Sequence, residues 1–166
     1  MISRKSITLI EAKTIPEAIR KLQRFIVHKA GKSIIHDLIL LIEEPEYRPL
    51  TIKGQEALEI NAIKAFFKLA TSHSKYRQTL SRAITKIKKR KSAMLPLSIN
   101  GRKMHGLMII KANSEKREIR STIVIREFES IEKLNLILAL AQLITEDLSL
   151  SSGMEAGRQL VLIPFL

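Results

Sequence analysis

A chain of 166 residues and 18.9 kDa has the size of one ordinary domain and is long enough to bury a sizeable core. Hydrophobic residues make up 45% and charged residues 27%, close to a globular average, which excludes wholesale disorder. Cysteine is absent, and with it go disulfides, thiolate zinc sites, iron–sulfur clusters and cysteine nucleophiles.

The net charge is +13, and its placement says more than its size. Positions 60–114 carry 13 of the 29 basic residues and no acidic one, so the remainder balances at 16 basic and 16 acidic residues. A structural surface normally mixes both signs, because a single-sign field opposes compactness. A partner rich in negative charge explains the segregation better, and nucleic acid is the commonest such partner. An anionic membrane surface or an acidic protein would meet the same need.

In chain order, Ser6–Ile10 predicts a short strand by its β-branched content. Thr14-Ile15-Pro16-Glu17 has the spacing of a capping box with Pro in the first turn. Apolar residues at Ala18, Ile19, Leu22, Phe25 and Ile26 then give a helix over 15–30, stopped by Gly31. The run Leu38–Ile42 suits a buried strand and a buried helix equally, and Pro45 and Pro49 close it in a loop. Helical spacing returns over 54–71.

A further helix is predicted from Ser74 to about Lys91. Tyr76, Leu80, Ala83 and Ile87 form its apolar stripe, and Lys75, Arg82, Lys86 and Lys89 form a cationic stripe at about 100° to it. The period then changes from helical to alternating. Strands at 94–99 and 103–111 flank Asn100-Gly101, a strong hairpin signal, and a third strand follows over 118–128.

Helix 130–147 is apolar almost all round, so it must lie centrally or against another subunit. Ser149–Gly153 reads as a flexible stretch, and Leu160–Leu166 as an apolar tail that adds a strand to the same or a neighbouring subunit. The expected architecture is therefore α+β: an N-terminal strand and helices, a three-stranded antiparallel meander, and a buried C-terminal helix with a short terminal strand. Residues 1–150 would form one compact domain, and 151–166 a linker and tail. Helix 130–147 and tail 160–166 would support a homo-oligomer.

Recognised chemical motifs are scarce. His28, His36, His73 and His105 are scattered, and no glycine-rich nucleotide loop or Gly-x-Ser-x-Gly turn occurs, so no metal or cofactor is expected. Glu11-Ala12-Lys13 has a nuclease-like form but lacks nearby carboxylates to hold an ion. The longest unbroken apolar run, Leu136–Ala141, is six residues, too short to span a bilayer. No signal-peptide core follows Met1, so the expectation is a soluble intracellular protein, cytoplasmic or nuclear. Lys88-Lys89-Arg90-Lys91 fits a nuclear-localisation pattern as well as a phosphate patch.

Aromatic residues are few, with Tyr47 and Tyr76 the obvious candidates to stack on bases. Backbone contact with a duplex, RNA or DNA, therefore fits better than sequence-specific reading of single strands. The function expected is non-catalytic nucleic-acid binding. Its candidate residues are Lys75, Arg77, Arg82, Lys86, Lys88, Lys89, Arg90, Lys91, Arg102 and Lys103.

Overall fold

The structure, a computed structural model, describes residues 6–29, 36–44, 74–98 and 103–164, and places Ala65 and Lys68 in helix. The rest of the helix expected over 54–71, the Gly31 stop, the loop around Pro45 and Pro49, Tyr47 and the Asn100-Gly101 turn lie outside the described residues.

Six strands form one mixed sheet: β1 (Ser6–Ala12), β2 (His36–Ile42), β3 (Ala93–Leu97), β4 (Gly106–Asn113), β5 (Glu118–Ile125) and β6 (Glu155–Ile163). Among the described residues three helices accompany them with defined ends: α1 (Ile15–Lys29), α2 (Ser74–Lys88) and α3 (Ile131–Ser152). The fold class is α+β. Across the sheet the order is β1-β2-β6-β5-β4-β3.

The expected free meander is corrected by this order. Strands β3, β4 and β5 are antiparallel neighbours, but they form one half of a six-stranded sheet. The parallel pair β1–β2 forms the other end, and β6 joins the two by running antiparallel to β2 and parallel to β5. Leu160–Ile163 of the apolar tail thus belong to a nine-residue central strand, Glu155–Ile163, of its own chain rather than to a short terminal one. Parallel pairs need a crossover, and α1 and α3 supply them.

Local chemistry explains most boundaries. At the start of α1 the Thr14 carbonyl accepts from the Ala18 amide at 3.0 Å. The Glu17 carboxylate takes the Lys13 amide at 2.9 Å, one residue before the expected capping-box position. Within the ambiguous segment 34–44, His36–Ile42 forms strand β2. Pro96 is tolerated because β3 is an edge strand. At the opposite edge Lys21 Nζ donates to the Glu11 carbonyl at 2.8 Å, which shields the free side of β1.

Helix α3 runs five residues beyond the expected end, so Ser149–Ser152 is its last turn and no flexible linker. Two contacts explain the extension. Leu148 is fully buried, and the Ser149 hydroxyl bonds the Met154 carbonyl, holding that turn down. Gly153 ends the helix in the left-handed region at φ 69°, its amide on the Ser149 carbonyl at 2.9 Å.

Alternation along the strands divides the sheet into two faces. Residues such as Leu40, Val161, Ile123, Met108 and Leu95 point to one face and join the three helices in a single core. Helix α3 lies between α1 and α2 over β5 and β6, so its wide apolar face packs within its own chain while Leu150 stays exposed. By length and composition α3 could cross a membrane, but 56% of its apolar window is buried here.

The opposite face carries a row that runs in register across all six strands: Leu9, Ile39, Leu162, Val124, Leu107 and Pro96. None of these residues belongs to the core cluster, and no described helix packs on them.

Gly106 opens β4 where a Cβ would lie 2.8 Å from the Val124 carbonyl oxygen. That atom is backbone and has no room to yield. Gly106→Ala is therefore expected to destabilise the fold by about 1–3 kcal/mol, read as a lowered urea midpoint with unchanged slope.

Candidate nucleic-acid interface

Helix α2 docks by one face. Leu80, Ala83 and Ile87 are buried against β3, β4 and α3, and Tyr76 and Ile84 pack at the margin. The expected apolar stripe is therefore the docking stripe. Tyr76 belongs to it, and burial together with the nearby Asp147 charge pushes its phenol up to about 12. A ring held in this way offers no platform to a base, so the stacking role considered for Tyr76 is withdrawn.

Arg77, Arg82, Lys86 and Lys88 are exposed on α2, and Lys89, Arg90 and Lys91 are exposed in the turn that follows it. Lys75 lies in the first turn of the helix. Among the described residues, no carboxylate pairs with Arg82, Lys86, Lys88, Lys89, Arg90 or Lys91. Six positive charges are thus gathered along the C-terminal half of the helix and its turn without compensation among the described residues. The helix macrodipole favours cations at a C-terminus, but typically by only about 0.3–1 kcal/mol each and within the last turn.

The turn itself is a Schellman motif. The Arg90 amide bonds the Ile87 carbonyl at 2.9 Å, and the Lys91 amide reaches back to the Lys86 carbonyl at 2.8 Å. Its left-handed position, usually glycine, is filled by Arg90 at φ 59°. A side chain there costs on the order of 1 kcal/mol. The chain therefore retains a charge at a position where glycine would stabilise the turn.

Two other candidates are placed differently. Arg102 lies outside the described residues. Lys103 is held by Glu129 at 2.7 Å and Glu127 at 3.5 Å, so its charge is compensated. Lys133 completes the cluster by pairing with Glu129 from the first turn of α3. These bonds, first from Lys103 and then from Lys133, pull the Glu129 carboxyl down to about 2. Sequence inspection missed this because residues 103 and 129 meet only through the tertiary fold; the Glu129–Lys133 spacing was the one local hint.

On the outer sheet face Arg120 pairs with Glu118 at 2.6 Å, which removes it from any tally of open cations. Beside Glu11, Lys13 faces Glu44 at 3.7 Å, and no group of three metal-ligating side chains gathers among the described residues. In comparisons with known proteins, no family model and no curated sequence matches this chain.

A carboxylate with a depressed pKa contributes stability that is complete above its unfolded value and disappears as the pH falls through the folded one. The Lys103–Glu129–Lys133 cluster should therefore persist through the ordinary carboxylate range and break only near pH 2. Lys103→Ala is expected to raise the Glu129 midpoint toward a free glutamate's, followed by carboxyl carbon NMR titration.

Proposed function

We propose that this protein binds nucleic acid through the phosphate backbone, non-catalytically and with little sequence preference. The contact surface is the C-terminal half of α2 and the turn after it, residues 82–91. The observation that carries the reading is the Schellman turn, where Arg90 occupies a glycine position among exposed, unpaired cations. Departures from local structural preference concentrate where function requires them.

The chemistry of the surface fits phosphates better than bases. Lysines dominate it, and lysine acts as a flexible point charge without the bidentate fork that reads guanine. No aromatic residue accompanies the exposed cations of α2, which disfavours single-strand stacking. Lys103 is excluded from the contact set by its carboxylate partners.

The test is fluorescence anisotropy with labelled duplex RNA, duplex DNA and single strands over a range of salt. A footprint of about five phosphates gives a log–log salt slope of about −4.5 on duplex DNA. Changing Lys86, Lys88 and Lys89 together to Glu is expected to abolish binding while circular dichroism stays unchanged. Salt-independent binding, or full binding by that variant, overturns the proposal.

Arg90→Gly separates the two roles of the turn. It is expected to raise stability by about 0.5–1 kcal/mol and to weaken nucleic-acid binding several-fold. Urea melts and anisotropy on one preparation read both effects.

A further inference from the structure

Strands β2 and β6 are apolar at successive positions, Leu38 through Ile42 in one and Leu160 through Ile163 in the other. Strands of this kind are covered on both faces, whereas a strand with one wet face alternates apolar with polar. The three helices cover only one face here. Beside the row already described, a second crosses the outer face in register: Leu41, Leu160, Thr122 and Ile109, with Glu11 and Met94 at its ends.

The edges of this face are open to solvent, with Ile7 71%, Leu9 54% and Met94 64% exposed. At the usual strand spacing six strands span about 29 Å, and strands of this length run for about 20 Å, which gives ~600 Å² in plan. That is the upper end for an apolar patch on a monomer, and it approaches the ~800 Å² per partner of a stable interface.

Charge on the face is segregated by half. By alternation Glu11 of β1 and Asp37 of β2 lie on it at one side, and Lys111 of β4 supplies the open positive charge at the other, where Arg120 of β5 is already met by Glu118. Arg158 of β6 is near the midline.

We infer that a second copy of this chain covers the outer face, forming a sheet-on-sheet sandwich about a two-fold axis parallel to the strands. That axis lays the acidic β1–β2 side of each copy over the basic β4 side of the other and superposes the apolar rows. A two-fold across the strands would instead stack like charge on like charge, which opposes association. Sheets packed in this way sit about 10 Å apart with their strands about 30° from parallel. The inference is independent of nucleic-acid binding, since the basic end of α2 is not part of the face.

Sedimentation velocity of the full chain over a micromolar concentration range tests it. The protein is expected to be a dimer, and Leu9→Glu combined with Met94→Glu is expected to give a folded monomer, because both side chains already lie in solvent. Glu11→Lys is expected to weaken the dimer by about tenfold, roughly 1.4 kcal/mol, and Lys111→Glu added to it to restore affinity. A parent protein that remains monomeric overturns the inference. Binding of that monomer to neutral phosphatidylcholine vesicles would assign the face to lipid, and failure to bind would assign it to another part of the same chain. A dimer that survives the Leu9→Glu, Met94→Glu pair also overturns it.

Discussion

Helix α3 buries a wide apolar face along its whole length. Over 22 residues it buries Leu134, Ile137, Leu138, Leu140, Ala141, Ile144 and Leu148, which share an arc of roughly 160° round its axis, while Glu132, Glu146 and Leu150 are exposed on the other side. A face that wide must be covered, and the sheet below it covers only part of it. Helices α1 and α2 flank it on either side. The remaining arrangement follows. A layer three helices wide needs a wide sheet beneath it, and the sheet reaches that width only when β6 bridges two halves that have no other strand between them.

The three helices described end to end all lie on one face, and no described helix packs on the other. In an ordinary antiparallel sheet the wet face would be polar, and β5 partly follows that rule with Arg120 and Thr122. Strands β2 and β6 do not. Their sequences have the character of buried strands, and the apolar continuity runs through the hydrogen-bonded register rather than through chance neighbours.

Much of the architecture was legible because it is written in short range. The helix at 15–29 follows from Thr14, Pro16 and the spacing of Ala18, Ile19 and Leu22, and the docking stripe of α2 follows from Leu80, Ala83 and Ile87. The sheet order was not legible, because β6 pairs with strands that precede it by more than a hundred residues on one side and about forty on the other. Nor could spacing show whether Leu38–Ile42 was strand or helix, since a segment apolar on both faces has no period. For the candidate site, the excess of cations was plain from composition, yet which of them are free was not. The charge of Lys103 is met by Glu129 across the fold, Tyr76 turns inward, and the backbone strain at Arg90 leaves no mark in residue order.

The position of β6 in the sheet also bears on how the molecule is made. The last of the nine described elements in chain order is one of the two at the middle of the sheet, so neither half can close until that strand arrives. Until then β2 and β5 each present an open edge of mostly apolar residues, the kind of surface that recruits other chains. Pairings over such sequence distances are slow to form, because loop closure must precede any gain from contact. Assembly of this protein should thus be governed by a late, long-range insertion, with its most aggregation-prone moment just before the final strand docks.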